Sequence, residues 1–140
     1  MRSVYDEVLA VKGVDPIAQD DSEALSDAID TLGLTSGLVE VQTGAATGTP
    51  DSYSVACKVT ECATADGTYA DVTGATASLT DDSKHAQIRL EGLGTSRLRY
   101  LKISMTPDFT GGTTPKALIA ATAYLGRDQQ VPVANSATQS

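Results

Sequence analysis

The chain has 140 residues and a net charge of −8, because 18 acidic residues outnumber 10 basic ones. A single domain of this size buries roughly two thirds of its unfolded surface, so folding requires neither a disulfide nor a metal ion. Proteins that bind nucleic acid carry clustered Lys and Arg against the phosphates, and the acidic balance argues against that class of partner.

The composition predicts a light core and many turns. Trp is absent, Phe occurs once and aromatic residues make up 4% of the chain, so Val, Leu, Ile and Ala must supply most of the burial. The 12 Gly residues, with Ser and Thr scattered throughout, favour short strands over long helices. No stretch reaches the roughly 18 apolar residues of a membrane span. The charges inside the N-terminal apolar run argue against a signal peptide.

Residues 1–27 are predicted to form an N-terminal arm or a short element. The run 3–11 mixes apolar and acidic residues and fits either a first strand or an arm. The next segment, 15–34, is ambiguous, and one alternative is a short capped helix. That alternative depends on three apolar residues at helical spacing and on two candidate caps, namely Leu25, Ile29 and Leu32, with Asp21 or Ser22. The pattern favours extended structure from Ala28 onward.

Residues 28–126 read as a β-sandwich domain, because apolar and polar residues alternate between turn signals. The predicted strands are 37–44, 52–63, 69–74, 85–93, 97–107 and 116–126. An Asp-Gly turn is predicted at 65–68, and the polar segment 75–84 is also predicted to be a turn. The fold is therefore predicted to be all-β, an antiparallel β-sandwich or jelly roll with extended N- and C-terminal arms. The polar tail 127–140 is the C-terminal arm, either flexible or bound to a partner.

Two cysteines lie in the predicted strand 52–63, and alternation places Cys57 and Cys62 on opposite faces. Five strand steps separate their Cα atoms by roughly 16 Å, whereas a disulfide spans at most about 7 Å. Two free thiols are therefore expected, which fits a reducing compartment. Cys57 is expected to be a small buried residue.

The segment "PDFTGGTTPK" (107–116) is rich in Gly and Thr and ends in a lysine, so it fits either a phosphate-binding loop or a turn. A P-loop requires G-x-x-x-x-G-K-[ST] between a strand and a helix. Here the two glycines are adjacent, Pro115 precedes Lys116, and Ala117 stands where Ser or Thr is needed. The sequence therefore predicts a turn, in which Gly111 and Gly112 let the chain reverse.

No residue set points to catalysis, a metal ion or a cofactor. His85 is the only histidine, no G-x-S-x-G elbow is present, and one His with two separated Cys is too few for zinc. The acidic residues between 15 and 30 lack the spacing of a calcium loop and are expected to be solvated. The chain is expected not to be an enzyme.

Two stretches carry a resemblance to a known family. Residues 98–126, "LRYLKISMTPDFTGGTTPKALIAATAYLG", resemble the C-terminal hairpin of small head decoration (cement) proteins of tailed bacteriophages. Residues 38–74 are similar to the central part of that family, where a long strand leads through an acid-Gly turn to a short return strand. The resemblance implies a jelly-roll protein that binds the outside of the capsid shell. The implied partner is the major capsid protein, and the implied location is the virion exterior after assembly in the host cytoplasm.

Such a protein would stabilise the shell by bridging neighbouring capsid proteins, and it would do so as a dimer or trimer, without membrane or nucleic acid. The residues expected to contact the partner are Val4, Tyr5, Val8, Phe109, Val131 and Val133. Phe109, the only Phe, either folds back onto the core or anchors in the partner. Two alternatives stay open at this point: a tail-tube or head–tail joining subunit, and a carbohydrate-binding or adhesive module, for which the chain has few aromatic rings.

Overall fold

The computed structural model describes residues 8–80, 84–93 and 96–126, and all regular structure in them is β. The ten strands are β1 (Val8–Lys12), β2 (Ile17–Gln19), β3 (Ala24–Leu25), β4 (Ile29–Asp30), β5 (Ser36–Thr47), β6 (Ser52–Cys62), β7 (Ala70–Thr80), β8 (His85–Glu91), β9 (Tyr100–Thr110) and β10 (Lys116–Gly126). These residues include no helix that could cross a membrane. The predicted all-β class is confirmed, and the helical alternative for 15–34 is wrong.

Two antiparallel sheets form the sandwich. Sheet A has the order β1-β10-β5-β8, with β2 also paired to β10, and sheet B has the order β3-β9-β6-β7, with β4 also paired to β9. Because β1 and β2 follow one side of β10, and β3 and β4 follow one side of β9, each pair occupies one strand position. The sandwich thus has eight positions, four in each sheet. This order is that of a jelly roll.

Alternation decides which side chains enter the core. Along β10, Ala117, Ile119, Ala121, Ala123 and Leu125 are all buried, and the residues between them face outward. Sheet B supplies the opposing layer from β6 and β9. The core is aliphatic as the composition predicts, and its largest fully buried side chains include Leu93, Leu101, Ile103, Met105 and Leu125.

The structure extends one strand beyond its predicted end. β6 and β7 form the predicted hairpin around the turn at 63–69, but β7 continues to Thr80, so the turn predicted at 75–84 is wrong for 75–80. Ala75 and Leu79 face the core there, while Thr76, Ser78 and Thr80 face outward. Small and hydroxylated residues hid this alternation, because their hydropathy differs little between the two faces.

The C-terminal hairpin implied by the resemblance is also wrong. β9 belongs to sheet B and β10 to sheet A, so residues 111–115 cross between the sheets instead of joining paired neighbours. A second crossover, 48–51, lies beside it, and the Thr113 N–H donates to the Gly48 carbonyl at 2.8 Å. Gly111 and Gly112 have positive φ. A Cβ on Gly112 would lie 2.6 Å from the Gly48 oxygen, so close packing of the two crossovers requires glycine there.

Both cysteines are free and buried. Cys57 faces the core, and burial raises the pKa of its thiol to about 12. Cys62 pairs with Tyr100 on the outer face of sheet B. It is nevertheless 8% exposed, because the turn after β6 folds over it and brings Thr64 within 3.9 Å.

Candidate binding surface

The structure places the predicted contact residues at different parts of the molecule. Val4, Tyr5, Val131 and Val133 lie outside the described residues. Val8 begins β1 and pairs with Gly126, whereas Phe109 lies one residue before the end of β9, next to the crossover that leads into Lys116. The 11 residues of β10 separate these two ends, a length of roughly 33 Å. Val8 and Phe109 are therefore at opposite ends of the sandwich and form no common site.

Phe109 belongs to a strand and not to a loop as predicted. It lies opposite Tyr53 in the β6–β9 ladder, and the two ring centroids are 5.7 Å apart. The ring is partly buried against the core. Of the two alternatives for Phe109, the structure fits the side chain that folds back onto the core, because this residue is on the face of β9 that points between the sheets. Its role as a partner contact stays a prediction.

A cavity of about 600 Å³ lies at the Phe109 end. Its charged lining consists of Lys116 with three carboxylates, namely Asp20, Asp21 and Asp108. Three carboxylates around one lysine repel a phosphate, so the arrangement is unsuited to the phosphate-binding role considered for this loop. Among the residues that the structure describes, no group of three or more His, Cys, Asp or Glu side chains could hold a metal ion.

A second concavity, of about 420 Å³, lies on the outer face of sheet A at the opposite end, and we call it the terminal groove. It is lined by Val8, Ser36, Gly37, Leu38, Arg89, Leu90, Glu91, Tyr124, Leu125 and Gly126. Tyr124 and Leu38 are directly opposite each other on β10 and β5 and form its apolar centre. Gly126 carries no side chain on this face, whereas a Cβ on Gly37 would point into the core, 2.7 Å from a methyl carbon of Leu125. The first and last described residues, Val8 and Gly126, meet at this groove because they are paired.

The apolar side chains around the groove are unusually accessible. Val8 and Tyr124, both on the outer face of sheet A, are each 40% exposed. Leu32 and Leu98 are also exposed at this end, next to the backbone hydrogen bond from Thr31 to Arg99. Soluble proteins seldom expose contiguous large apolar side chains, and such patches mark contact sites for other molecules.

The charged side chains near this end of the sandwich fall into two groups. Arg97 pairs with Glu61, and Arg99 donates two hydrogen bonds to Asp30, which lower the pKa of Asp30 to about 2. Arg89 and Glu91, by contrast, are exposed at the groove rim and have no salt bridge to another described residue. A rim with one free cation and one free anion suits polar contacts with a bound chain.

Sequence reasoning found Val8 and missed the rest of the groove. One signal was present: residues 116–126 are apolar on both faces, although only one face of a sandwich strand enters the core. The outward set of such a strand, here Leu118 and Tyr124, must lie open or be covered by a partner. Leu38 and Arg89 could not be found from the sequence, because only strand pairing brings them beside Tyr124.

Comparisons with known proteins support the fold. No known protein family and no curated protein matches the sequence. In fold, the chain is similar to the CBM22-1–GH10 modules of endo-1,4-β-D-xylanase 10B of Clostridium thermocellum complexed with xylohexaose. That similarity has a TM-score of 0.50 at 11% identity and covers 91% of this chain and 27% of that chain.

Two further structures resemble the chain more loosely. One is a CBM4 structure, with a TM-score of 0.43, 10% identity and coverage of 85% of this chain and 66% of that chain. The other is a structure of infectious bursal disease virus, Gx strain, with a TM-score of 0.42, 14% identity and coverage of 89% and 33%. At these identities the likeness concerns the fold alone.

Proposed function

We propose that this protein is a structural, non-catalytic component of a tailed-phage virion. It binds the outside of the capsid shell and stabilises it by bridging neighbouring major capsid proteins. The observation that carries the proposal is the terminal groove, an accessible apolar surface from which both ends of the chain depart. The resemblance of residues 38–74 and 98–126 to head decoration proteins supplies the class of partner.

The four predicted contact residues outside the described structure are attached beside the groove. Chain geometry limits Tyr5 to about 11 Å from Val8, and Val131 to about 18 Å from Gly126. Since Val8 and Gly126 are paired, residues 7 and 127 are each bonded to the same end of sheet A. A partner seated in the groove would therefore also be within reach of both segments.

The groove fits an extended segment of the major capsid protein. Tyr124 and Leu38 offer an apolar seat, while Arg89 and Glu91 at the rim offer a donor and an acceptor for polar atoms of the bound chain. When one protein contacts two capsid subunits, opening the shell breaks both sets of contacts. Two modest affinities then combine to hold the protein strongly on the shell. The charge of −8 favours a position facing solvent over one facing the packaged genome.

Tyr124→Ala tests the proposal, with Leu118→Ala as its matched control. Both side chains are about half exposed on the outer face of β10, at 40% and 46%, but only Tyr124 lines the terminal groove. The assay uses empty, expanded shells of the major capsid protein that the proposal expects to be encoded beside this gene. Cosedimentation should show that Tyr124→Ala weakens binding about tenfold or more, whereas Leu118→Ala binds like the wild type.

The wild-type protein should also raise the temperature at which these shells disrupt. If it neither binds the shells nor changes that temperature, the proposal is wrong. Retention on a glycan array would then favour a carbohydrate-binding module. Assembly of the purified protein into rings or tubes would favour a tail-tube or head–tail joining subunit.

A further inference from the structure

In the part of the chain that the structure describes, no strand pairs with the free side of β1, so this side is a sheet edge. A sheet edge exposes unpaired N–H and C=O groups, and natural proteins cover or shorten such edges to prevent unwanted pairing. The other edges of this sandwich are protected: β7 and β8 lie against each other, and β3 and β4 contain two residues each. β1 has five residues, of which four are the aliphatic run "VLAV". Among the described residues, it is the longest edge strand outside the β7 and β8 pair, and no further described strand pairs with its free side.

The pairing of β1 with β10 shows which β1 residues direct their backbone N–H and C=O groups toward the free edge. The Gly13 N–H donates to the Ala121 carbonyl at 3.0 Å, and antiparallel ladders alternate between bonded and non-bonded pairs. Continuing the register, Leu9 and Val11 direct their N–H and C=O groups toward β10. Val8, Ala10 and Lys12 therefore direct theirs toward the free edge, in the pattern that accepts a further antiparallel strand.

The core side of this edge is also incomplete. Leu9 is opposite Leu125, so both side chains point between the sheets. Leu125 is 0% exposed, yet Leu9 is 52% exposed because no strand lies beyond β1. A strand added at this edge would cover Leu9 and widen sheet A, and the core beneath it, by one strand.

We propose that β1 pairs with β1 of a second copy of this chain, in antiparallel orientation about a two-fold axis at Ala10. In this register Ala10 faces Ala10, Leu9 faces Val11, and Val8 faces Lys12 of the other copy. The outward N–H and C=O groups of the three even-numbered residues then form the bonded pairs. At the centre of the pair, Ala10, Leu9 and Val11 face aliphatic side chains, and at its ends each Val8 faces a Lys12, so no like charges are opposed.

Charge does not oppose this pairing. Lys12, which faces Val8 of the other copy, forms a salt bridge of 3.0 Å with Asp15 of its own chain, so its charge is compensated at the end of the contact. The bulge at Gly13 and Val14 and the missing N–H of Pro16 stop the pairing beyond β1.

The contact is short, so the dimer is weak in solution, with a dissociation constant on the order of 100 μM. A two-fold axis between antiparallel edge strands is perpendicular to the sheet, so both outer faces of sheet A point the same way. Both terminal grooves would then face one surface. The dimer itself does not depend on the proposed function, because it forms without a shell.

Sedimentation equilibrium of the purified full chain, without shells, tests the dimer between about 10 μM and about 1 mM. The wild type should shift from monomer to dimer across this range. Leu9→Lys should weaken association about tenfold or more, because it places a charge against Val11 of the other copy. Leu118→Lys is the matched control, since Leu118 is 46% exposed but lies on the face of the central strand β10, and it should dimerise like the wild type.

Ala10→Pro provides a second variant, because it removes the N–H at the axis without removing a bond to β10. It should also stay monomeric, and far-UV circular dichroism shows whether it folds. If it does not fold, Leu9→Lys decides the question. A wild type that is monomeric throughout, a trimer, or a dimer unaffected by Leu9→Lys would overturn the inference.

Discussion

At the scale of single residues, Phe109 shows how position in a strand changes the meaning of a side chain. As the only Phe, beside a Gly-Thr loop, it invites interpretation as an exposed anchor. In the structure it faces Tyr53 and joins the edge of the core. Its removal should therefore affect folding directly.

Phe109→Ala is expected to lower the free energy of unfolding by about 2 kcal/mol, roughly half the loss for a fully buried Phe. Asp108→Ala is the control, because Asp108 is exposed on the other face of the same strand. Urea titration followed by circular dichroism measures both. An unchanged midpoint for Phe109→Ala, together with weaker shell binding, would restore its interpretation as an anchor.

The Asp30–Arg99 pair gives a prediction about acid stability. Two hydrogen bonds from Arg99, at 2.9 and 2.8 Å, hold the pKa of Asp30 at about 2, below its usual value of 3.8. A carboxyl whose pKa is lowered by folding stabilises the folded state above pH 3.8, and this contribution is lost as the pH falls toward 2.

The melting temperature of Asp30→Asn should thus lie below that of the wild type at pH 6, and the difference should shrink between pH 4 and pH 2. The difference should be small and should decrease in high salt, because the pair is exposed to solvent. Thermal melts at each pH measure it. A difference that is constant from pH 6 to pH 2 would contradict the assignment.

At the scale of elements, the two crossovers 48–51 and 111–115 lock one end of the sandwich. Each contains a Thr-Pro pair in which the Thr has positive φ, Thr49 at 50° and Thr114 at 42°. Such backbone is strained for a non-glycine residue, and mutual packing of the loops holds it. The glycines beside these residues serve close approach as well as chain reversal.

Gly112→Ala and Gly74→Ala distinguish the need for positive φ from the need for close approach between the two crossovers. Both glycines have similar positive φ values, 85° and 82°, but a Cβ on Gly74 meets nothing within 4 Å, whereas one on Gly112 meets the other crossover. Gly74→Ala should lose about 1–2 kcal/mol from backbone strain alone, and Gly112→Ala should lose about 3 kcal/mol. Equal losses in chemical denaturation would mean that the loops separate at little cost.

At the scale of the whole molecule, the fold depends on pairings between distant parts of the chain. β10 is central in sheet A, and it receives β1 and β2 on one side and β5 on the other. The N-terminal strand cannot find its place until the last strand has formed. Closing such large loops lowers the conformational entropy of the chain before any native contact compensates for this loss.

Refolding is accordingly expected in milliseconds to seconds, as for other β-sandwiches, and not in microseconds. Stopped-flow measurements can follow tyrosine fluorescence, since the chain has five Tyr and no Trp. Leu118→Ala, on the surface of β10, is a useful control that should leave the folding rate nearly unchanged. A microsecond phase that accounts for the whole amplitude would contradict the dependence on distant pairings.

The sequence by itself determined the fold class and most strands. The strand at 116–126 was predicted with the observed bounds, and 52–63 ends one residue beyond β6. Alternation is local, so it can be read without knowing the neighbours. It was hidden where small or hydroxylated residues fill both faces, as in 75–80, and where the strands are as short as β3 and β4. It was also hidden at 108–110, where the adjoining Gly-Thr segment indicated a loop although β9 continues to Thr110.

Only the tertiary structure decided which strands are neighbours, and therefore where the candidate site lies. A Gly-Thr loop fits a hairpin and a crossover equally well, because both need positive φ, and the sequence does not say to which sheet the next strand belongs. Likewise Leu9 and Leu125 are the same residue type, yet the side chain of Leu9 is half exposed and that of Leu125 is fully buried. Burial depends on the position of a strand within its sheet. The terminal groove forms because the pairing of Val8 with Gly126 brings distant residues of the chain together.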